Sequence, residues 1–427
     1  MRLFVLVSSG KNMPRQNRNN IVLLYICTIL SVFSILTFSQ FVFPVYSKAF
    51  HLGDEWYGYL LSAATFALML TSFPGGHLSD VIGRKWLIFA GWGLIGIGMF
   101  MLIIIQAKWF LILASLVMGV GEGISISASH ALLADLVKDE HLSREYGTIT
   151  ALAILVAAGG PLLMGQIIKH YHSDGLGVSL SLSICAALSI LAAGLSLFFR
   201  EKKQHATNIP GMRDLFRLGG FTKKEKRVVR DILIVEAITG LGAGMTVPFF
   251  SIFFLNRFSS SPEHLSYIFT AATFAVAIAT FCIGLIGERV KKLDAMVFGN
   301  AASIPMAIGI TLSPTLLFGG VFYVLRSTLA NMLMPIWGAF MMRSLGTSVR
   351  GKALGLNHMA WNLFWVLGSL VGGHVTNLLK GWAFPMVALI YTGAMVFIRA
   401  DLGRRQRKRD KRDEGNEGND EDDRNGS

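Results

Sequence analysis

Charge is scarce in this sequence. Only 15% of its 427 residues are Asp, Glu, Lys or Arg, against about 25% in ordinary soluble domains, which excludes a water-soluble globule of the usual kind. Acidic residues are the rarer sign, 26 against 39 Lys and Arg. Cysteine is nearly absent: Cys27, Cys185 and Cys282 each stand alone inside an apolar run. That spacing excludes a disulfide framework and a cysteine metal site, and predicts three buried packing residues. No G-x-S-x-G, H-E-x-x-H or complete Walker sequence occurs, so neither hydrolysis, metal chemistry nor ATP use is supported. The expectation is a protein that is not an enzyme and holds no cofactor and no metal.

What the chain has in quantity is apolar length. Hydrophobic residues make up 53% of it and the mean hydropathy is +0.54. Uncharged runs cover residues 19–47, 56–79, 86–107, 146–168, 175–199, 264–287, 353–379 and 381–398, each near the roughly 20 residues that cross a bilayer as a helix. Runs 109–134 and 232–256 each carry one carboxylate, Glu122 and Glu236. The run 295–342 is too long for one crossing and is divided at Ser313, Pro314 and Thr315, a turn-favouring triplet. The reading is an all-α membrane protein with twelve transmembrane helices.

Basic residues orient it. With the N-terminus inside and the sides alternating, only Lys48, Lys108, Lys169, Arg257 and Lys380 fall outside, and Arg326 lies within the membrane. The positive-inside rule then places both termini in the cytoplasm, and the plasma membrane is the expected location. Contact with anionic lipid accounts for the formal charge of +13 without nucleic acid. The N-terminal apolar stretch is too short for a signal peptide, so no cleavage is expected, and Met13 is a second candidate start. The predicted organisation is a cytoplasmic N-terminus (1–18), a six-helix bundle (19–199), a basic cytoplasmic linker (200–230), a second six-helix bundle (231–399) and a disordered tail (400–427).

The two bundles are expected to be copies. "SAATFALMLTSFPGGHLSD" from Ser62 lines up without a gap on "TAATFAVAIATFCIGLIGE" from Thr270, an offset of 208 residues. At this offset Gly76 meets Gly284, Asp80 meets Glu288, Gly160 meets Gly368 and Gly165 meets Gly373. "FPVYSKAF" around Pro44 similarly matches "VPFFSIFF" around Pro248. Repeats of this length imply pseudo-symmetric halves.

Between the second and third helices stands "GHLSDVIGRKWLI". It resembles the loop signature of the major facilitator superfamily in Gly76, Leu78, Asp80, Gly83, Arg84 and Lys85, with Val81 where an arginine is usual. "ADLVKDEHLSREYG" and "VRGKALG" also resemble facilitator loops, so the resemblance covers the chain. It implies alternating access, with Gly76, Asp80, Gly83, Arg84 and Lys85 as a conformational latch on the eleventh helix near Lys352. Gly284 and Glu288 would form its weaker copy. Gly76 is expected to let a neighbouring backbone approach closely.

Charges at membrane depth mark the remaining candidates, since each costs about 2.5 to 3.5 kcal/mol on insertion scales. Ser115, Glu122 and Ser129 recur every seven residues along the fourth helix, with His130 beside them. The resemblance puts Glu122 and Arg326 on the walls of a central cavity. There Glu122 would carry a proton, and Arg326 would bind an anionic group or pair with Glu122 in alternation. Glu236 is expected near the cytoplasmic interface. Gln40, Thr246, Asn331, Asn357, His358, Trp361 and Trp365 are further polar or aromatic residues at cavity depth.

Within the superfamily, "FVFPVYSKAFHLGDEWYGYLLSAATFALML", "GAGMTVPFFSIFF" and "GGPLLMGQ" resemble the twelve-span drug and metabolite efflux group. Ser115 stands where proton-coupled members usually have an arginine, and the first helix has no carboxylate at depth. The implied function is proton-coupled export of a small amphipathic solute by a monomer. The alternatives are uptake of a sugar or organic anion, and a non-transporting sensor on the same fold.

Overall fold

The computed structural model describes residues 15–137, 139–171, 174–200, 222–286, 292–334, 337, 341 and 350–401, and no strand occurs among them. Glu288, the linker 201–221 and the tail from residue 402 lie outside the described residues, as do the side chains of Gly284's neighbours and of Lys352.

The first half is built from α1 (Gln16–Ala49), α2 (Asp54–Ile82), α3 (Arg84–Ile104), α4 (Lys108–Leu136), α5 (Asp139–Ala157 and Gly160–His170) and α6 (Asp174–Ser196). The second comprises α7 (Lys223–Thr246 and Phe249–Phe258), α8 (Pro262–Ile286), α9 (Lys292–Leu312), α10 (Leu316–Asn331), α11 (Arg350–Leu379) and α12 (Ala383–Asp401). The fold is therefore all-α, twelve helices in two related sets of six. Nine of the described helices are long and apolar enough to cross a membrane.

The repeat governs helix boundaries as well as sequence. The first residues of α2 and α8, Asp54 and Pro262, are 208 apart; so are Arg84 and Lys292 of α3 and α9, and Lys108 and Leu316 of α4 and α10. The turn dividing α9 from α10 falls at Ser313 to Thr315, where the Thr315 hydroxyl accepts from the Phe318 amide at 3.5 Å.

Proline shapes the first helix of each half. Pro44 lacks an N–H and crowds the carbonyl of Gln40, four residues back. A π-turn, Phe38–Val42, precedes it, and the Gln40 carbonyl accepts from Ser251 of α7 at 3.1 Å. In α7 the break falls at Val247 and Pro248, and the Pro248 carbonyl accepts from Tyr57 of α2 at 3.4 Å.

Small residues bring the helices together, as expected where lipid offers no hydrophobic drive for packing. In "GVGEG" of α4, a Cβ on Gly119 or Gly123 would strike the α2 backbone at Ala64 or Leu68, and one on Gly121 would strike α3 at Gly91. The expected role of Gly76 needs correction: a Cβ there would meet nothing within 4 Å. Gly75 makes the close approach, its Cβ position 3.0 Å from Ile124 Cα, because consecutive helical residues point about 100° apart.

Cysteine placement also departs from expectation. Cys27 and Cys185 are buried, but Cys282 is exposed on α8.

Candidate functional site

A cavity of about 300 Å³ opens among α1, α3, α4 and α5 of the first half. Its walls are Leu24, Thr28, Ser31, Val32, Ile35 and Leu36 of α1, Trp92 of α3, Glu122, Ser125, Ile126, Ser129, His130 and Leu133 of α4, and Tyr146, Ile149, Thr150 and Ile154 of α5. Glu122 is the one carboxylate among these lining residues, and they include no Lys or Arg. The glycines beside it, Gly121 and Gly123, clamp α4 against α3 and α2 and so fix the face that Glu122 presents. His130 accepts or donates to Tyr146 Oη at 3.0 Å, linking α4 to α5 at the cavity wall.

Ser115 does not belong to this wall. It is fully buried, and its hydroxyl has no hydrogen-bond partner among the described residues. Seven residues fall about 20° short of two whole helical turns, so a stripe read at that spacing rotates away from the cavity.

Arg326 and Glu122 do not form an ion pair. The Arg326 guanidinium is buried within the second half, 5.0 Å above the Phe250 ring, beside Tyr323 and Tyr391. A cation–π contact of this kind shelters the charge without a carboxylate. Glu236 is buried between helices: it accepts from Trp337 Nε1 at 2.6 Å and from the Asn357 side chain. Two neutral donors allow the carboxyl to be enclosed by protein. Asn331 is exposed and donates to its own helix at Ser327 O, 2.8 Å away. Trp361 lies against Gly240 of α7 through its backbone, its ring centroid 5.9 Å from that of Trp365. The Gln40 side chain is exposed.

At the turn between α2 and α3, Gly83 takes φ 106°, a conformation suited to glycine, and joins the two helices without another residue. Arg84 bridges Asp80 at 3.1 Å and Asp135 of α4 at 2.5 Å. Lys85 Nζ stands 5.5 Å over the Trp86 ring. Asp80, Arg84 and Asp135 thus pair within the first half.

Among the described residues, the hydrogen bonds between halves gather on the opposite side, where α2 begins. Asp54 is the hub, with Lys48 at 2.7 Å and Asn256 of the second half at 3.2 Å. Two clusters flank it. In one, Glu55 accepts from Asn377 at 3.0 Å and Tyr59 Oη meets His374 Nε2 at 2.9 Å, joining α2 to α11. In the other, Glu263 accepts from Lys169 at 2.8 Å and Tyr267 Oη accepts from Gln166 at 3.0 Å, joining α8 to α5. Sequence reading missed these residues. The signal was present: Glu55 and Glu263, Tyr59 and Tyr267, Lys169 and Asn377, and Gln166 and His374 are each 208 apart. Gly165 and Gly373 complete the clusters by allowing contact with Ser266 and with the Asp54 backbone. Also missed was Glu145, buried on α5 with Tyr25 Oη donating to it at 2.8 Å. Its place among loop charges disguised it.

Comparison with known proteins places this architecture. The sequence profile of the Major Facilitator Superfamily matches residues 24–230 and 232–422. Multidrug resistance protein 2 of Bacillus subtilis (strain 168) is 24% identical over 348 residues, covering 79% of this chain and 84% of that protein. Quinolone resistance protein NorA of Staphylococcus aureus (strain MSSA476) is 23% identical over 237 residues, 54% of this chain and 57% of that one. The crystal structure of the nucleoside transporter NupG superposes with a TM-score of 0.70 at 18% identity, covering 89% of this chain and 97% of its own. The chain belongs to the Major Facilitator Superfamily and is an integral, multi-pass membrane transporter of a small molecule, not an enzyme.

Proposed function

We propose that this transporter exports an amphipathic organic compound in exchange for protons, working as a monomer in the plasma membrane with the hinge side in the cytoplasm. The reading rests on the cavity of the first half. Its aliphatic walls, Trp92 and Tyr146 suit an apolar or aromatic body, while Thr28, Ser31, Ser125, Ser129 and Thr150 offer hydrogen bonds. Glu122 is a carboxylate without a cationic neighbour on that wall, and such a group exchanges a proton as its surroundings change between wet and closed. Export of such compounds would also account for drug resistance, which the names of the two relatives give to those proteins. The basic residues around the hinge and the tail support its cytoplasmic orientation.

Uptake of an organic anion finds less support, because Arg326 is enclosed by Phe250, Tyr323 and Tyr391. Proteoliposomes loaded with lipophilic monocations, neutral aromatic compounds, sugars or organic anions, with and without an imposed pH gradient, test the reading. Gradient-driven movement of an amphipathic probe is expected. Transport of sugars or anions alone would replace this reading with uptake, and a folded protein that moves none of them would favour the sensor.

A further inference from the structure

The two clusters that close the Asp54 side occupy the same places in the two halves, yet they differ chemically at two positions. In the α8–α5 copy the partners of Glu263 and Tyr267 are Lys169 and Gln166. In the α2–α11 copy the partners of Glu55 and Tyr59 are Asn377 and His374. The first copy has a fixed cation and a neutral amide. The second has a neutral amide and an imidazole.

His374 sits between two acceptors. Its Nε2 is 2.9 Å from Tyr59 Oη, and its Nδ1 is 3.7 Å from Glu55 Oε1. A neutral imidazole carries a hydrogen on one of these nitrogens, whereas a protonated one donates from both. Its side chain is 58% exposed, so solvent on this side reaches it. Facing it are Glu55 and Tyr59 of α2, with Asp54 next along the chain already held by Lys48 and by Asn256 of α7; from α4, Lys108 stands 4.7 Å over the Trp56 ring, which packs on Tyr59. On its own helix Asn377 is neutral. The charge nearest the imidazole is the Glu55 carboxylate.

We propose that Glu55, Tyr59 and His374 form a proton-binding gate: a proton taken from the Asp54 side ties α2 to α11 and holds that side closed. Lys169 and Glu263 do the same for α5 and α8 without regard to pH. The device is separate from Glu122 and holds for any cargo. In an exporter facing external acid, an outside proton at this gate biases the carrier toward the state closed on that side, while the proton itself stays exposed to that side.

Electron–electron distance measurements on the full chain test this directly. Spin labels are placed at Q106C, in the turn before α4, and at L317C, in the first turn of α10; both sites are exposed. Cys282 is replaced by serine, and Cys27 and Cys185 are fully buried. Lowering the pH from 8 to 5.5 is expected to raise the closed-to-open ratio several-fold. His374→Gln keeps the tyrosine contact, as Gln166 does with Tyr267, and is expected to remove most of the pH response. Glu55→Gln removes the charge His374 would meet and should flatten it equally. An unresponsive wild type, or either variant retaining half or more of the wild-type change, overturns the proposal whether or not any cargo is transported.

Discussion

Glu55 and Glu263 hold equivalent posts, 208 residues apart, and each reaches across the boundary between halves: Glu55 to Asn377 at 3.0 Å, Glu263 to Lys169 at 2.8 Å. Closure of the Asp54 side is thus made twice from one inherited plan. On the hinge side, Asp80, Arg84 and Asp135 bond within the first half. Among the described residues, hydrogen bonds across the halves gather on the Asp54 side, as in one of the two end states that alternating access requires.

The Lys169–Glu263 contact predicts a charge-reversal experiment. Lys169→Glu should slow transport several-fold by placing like charges across the closed side. Combining it with Glu263→Lys should restore most of the rate. Initial rates in proteoliposomes check this; failure of the double variant to recover would mean that the pair does not act across the gate.

Glycine positions separate packing from hinge function. Gly75→Val drives side-chain atoms into the backbone of α4 at Ile124 and should destabilise the protein by about 1–3 kcal/mol. Gly76→Ala meets open space and should leave the unfolding temperature unchanged. Thermal unfolding in detergent distinguishes the two.

Glu236 is expected to hold helices together. Glu236→Leu leaves the Trp337 indole N–H and the Asn357 amide without their acceptor, a loss of about 1–3 kcal/mol for each buried polar group left unsatisfied. Glu236→Gln, which keeps an acceptor, should cost less. If both variants melt like the wild type, the cluster contributes nothing to stability.

Much of the fold was legible because hydrocarbon thickness sets helix length and the repeat fixes register. The split at Ser313 to Thr315 and the pairing of Pro44 with Pro248 came from composition and alignment alone. Features that depend on rotation about a helix axis did not. Ser115 is buried away from the cavity wall and Gly76 sits one residue from the close approach, and a seven-residue or single-residue count carries no information about which neighbour lies opposite. Burial of Glu236 depended on a tryptophan 101 residues away, a contact that no local pattern announces. The gate residues lie at helix ends, where polar side chains are ordinarily solvated, and they went unread although the 208-residue repeat pairs them.

The central claim, that export is driven by protons through Glu122, is tested most directly by Glu122→Gln in proteoliposomes under an imposed pH gradient. The probe is a lipophilic monocation or neutral aromatic compound that the wild type moves, and the variant is first shown to unfold at the wild-type temperature. The account predicts that gradient-driven transport falls at least about ten-fold, the change expected when a group acting in the coupled step is lost, and that its dependence on pH disappears. Transport at the wild-type rate with an unaltered pH profile would contradict it.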